Sequence, residues 1–137
     1  MDDKFNKAAS MYKEKLLDKF GDRVEKIIYF GSCVDPLLRK QWGYDDIIDC
    51  AVVLAGNILR DKDAAVAARI AADLSGRPGQ GHVIVSPLVM SSAEFKKEVH
   101  AVQIFRKMIS SGVTLYDRQK ALEETERRRE ASMELGL

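Results

Sequence analysis

Two small residues and three acids hold the chemistry this sequence offers. The apolar run Ile27-Ile28-Tyr29-Phe30 ends in Gly31-Ser32, and Asp45, Asp46 and Asp49 stand at the head of a second apolar run, Cys50-Ala51-Val52-Val53-Leu54. A Gly-Ser turn lets backbone N–H groups approach a phosphate with no side chain in the way. Carboxylates on the neighbouring strand are hard oxygen donors suited to Mg²⁺. A phosphate cradle beside a metal site is the ground plan of nucleotidyl transfer, in which metal ions offset the charge that gathers on the phosphoryl group and on the departing pyrophosphate. In this plan Gly31 and Ser32 hold the triphosphate, Asp46 and Asp49 hold Mg²⁺, and Asp45 stands in reserve. Residues i and i+2 of an extended strand share a face whereas i and i+3 do not, so Asp46 and Asp49 meet at one ion only across a bulge or bend. The same residues also fit plainer roles: Gly31-Ser32 as a strand-to-helix turn with serine as N-cap, Asp45 and Asp46 as turn residues, and Asp49 as a solvent-facing strand residue.

Other reactive residues carry weaker signals. Cys33 follows Ser32 directly, yet neither His82 nor His100 is near it in sequence, which leaves a Cys–His nucleophile without support. The two cysteines, Cys33 and Cys50, lack CxxC spacing and read as reduced thiols of a cytoplasmic protein. Arg39, Lys40 and Arg60 fall where a cation would neutralise phosphates, although solvated surface charge explains each as well. Trp42 suits stacking on a base or covering the core. Arg127-Arg128-Arg129 is flanked by Glu123, Glu124, Glu126 and Glu130, the pattern of an ion-paired helix face and not of a nucleic-acid patch.

The elements that must position these residues follow from periodicity. Phe5, Ala8, Tyr12, Leu16 and Phe20 recur at helical spacing over residues 4–20, with a stop near Gly21. Val24 to Phe30 reads as a buried strand, residues 32–40 as a turn with a short helical stretch broken at Pro36, and Ile47 to Leu54 as the second strand. Asp61 to Leu74 forms a helix with Val66, Ile70 and Leu74 on one face, closed by the loop Ser75 to Gly81. Within His82 to Met90 a third strand, Val83-Ile84-Val85, precedes Pro87, which interrupts it or marks it as an edge. Ser91-Ser92-Ala93-Glu94 has the form of a capping box, and Phe95, Val99, Val102, Phe105 and Ile109 mark one face of a long helix over 94–111 that ends at Gly112. Val113 to Tyr116 adds a short edge strand. The stretch from Asp117 to Leu137, rich in Glu and Arg, forms a solvated helix or frays.

The α-β-α-β-α-β-α-β-α order predicts an α/β (α+β) domain, one small mixed sheet with helices packed on it. A chain of 137 residues suits a single core-bearing domain over 1–117 and a charged C-terminal helix or tail over 118–137. Lysine and arginine number 22 against 21 acids, so the net charge of +1 gives no general attraction to nucleic acid or membrane. Apolar runs are far shorter than the ~20 residues a bilayer span needs, and the acidic start Met1-Asp2-Asp3-Lys4 is unlike a targeting segment.

Phe30-Gly31-Ser32, a gap of thirteen residues from Cys33 to Asp45, and Asp46-Ile47 resemble the signature of the nucleotidyltransferase superfamily that includes DNA polymerase beta. Within it the chain is most similar to the small single-domain minimal nucleotidyltransferases. That signature places an apolar residue, Gly, and Gly or Ser about nine to thirteen residues before an acid–apolar–acid–apolar strand. Here Ile48 stands where the second acid belongs, and Asp49 follows one position later. The family's third carboxylate, usually on a later strand, has no counterpart in the acid-free stretch His82 to Ala93. The order Val85-Ser86-Pro87-Leu88-Val89, Glu94-Phe95, Phe105 to Ile109 and Gly112-Val113-Thr114-Leu115-Tyr116 resembles the family's C-terminal half, so the likeness covers residues 5–117. It implies a nucleotidyltransferase-like fold, Mg²⁺ as cofactor, a nucleoside triphosphate such as ATP as substrate, and a protein or small-molecule acceptor. It further implies an antitoxin role beside a helical HEPN-type toxin, with that partner or a homodimer completing the site. The slipped acid pair motivates the alternative of an inactive member of the fold that serves as a protein-binding module.

Overall fold

A computed structural model of the chain describes residues 3–34, 47–56, 60–75 and 83–136. Helix α1 spans Asp3–Phe20, and the residues spaced to share one face, Phe5, Ala8, Tyr12, Leu16 and Phe20, are all buried, as is Ala9. Gly21, at φ +56°, ends the helix in a conformation open to glycine, and a single 3₁₀ turn, Gly21–Arg23, leads into strand β1, Val24–Phe30. Strand β2 is Ile47–Leu54, helix α2 is Arg60–Ser75 and strand β3 is Ile84–Ser91. Helices α3 (Ser92–Ala101) and α4 (Gln103–Ser110), strand β4 (Val113–Asp117) and helix α5 (Arg118–Glu134) complete the described chain.

The four described strands form one mixed sheet in the order β3-β2-β1-β4, with β1 antiparallel to both β2 and β4, and β2 parallel to β3. The two central strands are nearly continuous apolar runs because helices cover both of their faces. On one face Ile27, Tyr29, Ile48, Cys50, Val52, Leu54 and Val85 pack with the buried stripe of α1 and with Ala67, Ala71 and Leu74 of α2. Two buried tyrosines fasten this layer: the Tyr12 hydroxyl donates to Ala67 O at 2.9 Å and the Tyr29 hydroxyl to Ala9 O at 2.7 Å. On the other face a smaller cluster of Ile28, Phe30 and Ala51 is covered by Phe95 and Ile109.

Three expectations change in detail. In α2 the deepest residues are Ala67, Ala71 and Leu74, with Val66 and Ile70 packed beside them, because alanines let the helix axis approach the sheet. Strand β3 runs through Pro87 to Ser91, and as the sheet's outer strand it tolerates a residue that cannot donate to a ladder. The helix expected over 94–111 is two helices, parted at Val102, whose backbone is extended at φ −114° and ψ 104°. The reason is reach. Phe95 and Ile109 cover the same three-residue patch, yet on a straight helix they would sit about 21 Å apart. Breaking at the β-branched Val102 folds α4 back, so that Phe95 and Phe105 meet edge to face with centroids 6.1 Å apart.

The capping box forms as expected: Ser91 Oγ accepts from Glu94 N at 3.1 Å, and Ser91 N donates to Glu94 Oε1 at 3.4 Å. Helix α5 opens on Asp117, whose side chain accepts from Lys120 N, and it is solvent-exposed almost throughout. Among the described residues no helix is long and apolar enough to cross a membrane.

Candidate functional site

The site lies where β1 ends and β2 begins. Phe30 is fully extended, and Gly31 then turns the chain sharply with φ +82° to start the 3₁₀ turn Gly31–Cys33, closed by Val34 N donating to Gly31 O at 3.2 Å. Antiparallel pairing sets Asp49 directly opposite Phe30, and therefore beside the turn. A methyl group added to Gly31 would collide with Oδ2 of Asp49. The left-handed backbone favours glycine here, and any side chain would also have to displace the Asp49 carboxylate from the space it occupies. Half-burial raises the Asp49 carboxyl above its ordinary pKa through desolvation.

Beneath the turn the Cys33 thiol is buried and donates to Phe30 O at 3.3 Å. Burial pushes this thiol up to about 11, with the nearby Asp49 charge adding to the shift, and Cys50, wholly buried, is raised further in the same way. Such thiols stay protonated and make poor nucleophiles. His100 is exposed on α3.

The outer neighbour of Asp49 is Ser86, its register partner in β3. Alternation along β3 sends Val85 into the larger core and leaves Ile84, Ser86 and Leu88 exposed on the side of the sheet that carries Asp49. Three strands thus contribute side by side: a glycine turn from β1, a carboxylate from β2 and a hydroxyl from β3.

Gly31 and Asp49, two of the expected site residues, are brought together. Ser32 lends its backbone to the turn, while its side chain, like that of Arg60, lies outside what the structure describes. Asp45 and Asp46 lie outside the described residues, as do Pro36, Arg39, Lys40, Trp42 and His82. Among the described residues no three His, Cys, Asp or Glu side chains form a metal-holding group. Asp49 by its donor chemistry suits a hard cation, since a half-buried carboxylate held at a desolvation cost is stabilised by a neighbouring positive charge.

Sequence reasoning missed two features. Ser86 becomes a site residue only through the β2–β3 register, which no local pattern in the chain reveals. The other is Asp63, buried on α2 and held in a two-pronged ion pair by Arg23 of the turn before β1, at 2.7 and 3.2 Å; an Asp in the first turn of a helix reads simply as a favourable partner of the helix dipole. Compared with protein-family models, with curated proteins and with solved structures, the chain matches none.

Proposed function

We propose that the chain is a nucleotidyltransferase-type domain that holds a nucleoside triphosphate with Mg²⁺ at the Gly31 turn. The observation that carries the reading is the Asp49 carboxylate seated over a left-handed glycine at the β1–β2 corner. The turn carries no side chain of its own at Gly31, which leaves its backbone N–H groups as donors for phosphate oxygens, with the bound cation offsetting the Asp49 charge beside them. Asp49, joined by Asp46, is the candidate holder of the cation, which when bound supplies charge neutralisation at the phosphoryl group. Phe95 and Ile109 pack on the cluster that includes Phe30, the residue that leads into the turn, and so support it on that face of the sheet. The acceptor is a protein or a small molecule in a cytoplasmic setting. A helical partner of the HEPN type, or a second copy of the chain, completes the pocket.

One observation favours a second reading. The position on β3 in register with Asp49 is Ser86, not an acid, so the carboxylate that would draw a proton from an acceptor is absent from that place. A domain of this kind would bind nucleotide or partner without external transfer.

Calorimetric titration with ATP and with the other three nucleoside triphosphates, with and without Mg²⁺, tests the proposal on the chain and on an Asp46→Ala, Asp49→Ala double variant. Binding that needs both the metal and the acids is expected. Absence of binding by all four overturns the nucleotide reading and leaves the partner-binding module.

A further inference from the structure

We infer that Ser86 is itself a nucleotidyl acceptor, so that the chain modifies its own β3. The inference rests on the proposed nucleotide site and goes beyond it by naming a modification site. Its basis is position. Ser86 is the register partner of Asp49 on the adjacent parallel strand, where paired backbones lie about 4.8 Å apart. The alternation that buries Val85 turns the Ser86 side chain to the face of the sheet that carries Asp49. Ser86 is exposed, and it lies on an outer strand between two exposed apolar residues, Ile84 at 41% and Leu88 at 47% of full accessibility. With phosphates on the glycine turn of β1 and Asp49 in the middle, β3 is the side from which an acceptor oxygen would approach. The residue standing there carries a hydroxyl. The exposed Ile84 and Leu88 offer apolar surface on either side of it, against which the nucleoside can settle.

The step balances without an added redox partner. A lone pair of Ser86 Oγ forms a bond to the α-phosphorus of the nucleoside triphosphate. The bond from that phosphorus to the oxygen bridging the β-phosphorus breaks, and its electron pair leaves with pyrophosphate. The hydroxyl proton passes to solvent water at the exposed strand. The product is a serine phosphodiester to a nucleoside, one group per chain, occupying the acceptor side of its own site.

Intact-mass spectrometry of the full chain after incubation with Mg²⁺ and each of the four nucleoside triphosphates, followed by peptide mapping, tests this. The expected result is a gain of one nucleotidyl mass on Ser86, lost in Ser86→Ala and in Asp49→Asn and kept in Ser132→Ala on the exposed α5. Circular dichroism and the urea midpoint of each variant report whether it is folded. A nucleotidyl group mapped to another residue overturns the assignment of Ser86 while supporting transfer. No adduct under conditions where calorimetry shows Mg²⁺-dependent binding overturns the inference and leaves the nucleotide site standing. No adduct and no binding overturns both.

Discussion

At the scale of single residues, Gly31 is constrained both by its backbone and by its neighbour Asp49. Replacing it with alanine forces a methyl group into the space of the Asp49 carboxylate and strains a backbone held at φ +82°. Gly31→Ala should lose about 1–3 kcal/mol of stability in urea unfolding; an unchanged midpoint would show that the turn is not held as described. The buried thiol below it sets a pH dependence. An unfolded cysteine ionises near pH 8.5, whereas Cys33 in the folded chain holds its proton to about 11. Between those values the unfolded chain binds fewer protons than the folded one, so stability falls as pH rises through this window and levels off above it. Cys50, Tyr12 and Tyr29, all raised by burial, extend the decline in the same direction. Urea midpoints measured from pH 8 to 11 should drop steadily, while native Cys33 resists iodoacetamide at neutral pH; rapid alkylation of the folded chain would contradict its burial. Gly31 and Asp49 were legible as site candidates from residue type together with their places at the end of one apolar run and the head of the next. What could not be read was which acid sits over the glycine, because that depends on the pairing of Phe30 with Asp49 and not on spacing along one strand.

At the scale of elements, Arg23 and Asp63 tie the turn before β1 to the first turn of α2, with the carboxylate buried and the guanidinium side chain 41% exposed. Asp63→Ala removes a charge-assisted pair and should cost about 1–3 kcal/mol, read from urea unfolding. A loss no larger than that of an exposed control such as Glu124→Ala would mean that the pair holds nothing. Tyr12→Phe should cost about 0.5–1.5 kcal/mol, since its hydroxyl bond to Ala67 is buried. Helices α1 and α2 were readable from their helical spacing, and strands β1 and β2 from short β-rich apolar runs bounded by polar or turn residues. The run from Phe95 to Ile109 kept its periodicity as well and still split at Val102. Periodicity reports which face is apolar; whether the surface beneath is long enough for a straight helix is a property of the sheet. Gly112 after α4 has a similar cause: a side chain there would strike the carbonyl of Tyr29, so the chain needs a bare backbone to swing into β4.

At the scale of the whole molecule, the two sides of the sheet differ. One is sealed by α1 and α2, and the other is covered over β1 by α3 and α4, while Ile84, Ser86 and Leu88 of β3 stay exposed. Helix α5 buries none of its residues, and its ion pair Arg128–Glu124, at 2.7 Å, is exposed. A chain truncated after Asp117 should therefore keep its stability to within about 1 kcal/mol; loss of cooperative unfolding would reveal that α5 supports the core. The mixed α/β class was legible because helical and strand periods alternate along the chain, but the sheet order was not, since nothing local says that the last strand inserts beside the first. That order bears on how the protein is made. The β4 partner of β1, which pairs Thr114 with Ile28 and Val113 with Tyr29, leaves the ribosome only after two further described strands and three described helices have followed β1. A nascent chain thus carries one side of its central strand open while β2, α2, β3, α3 and α4 are being made, the interval in which an unpaired apolar edge invites capture by another chain.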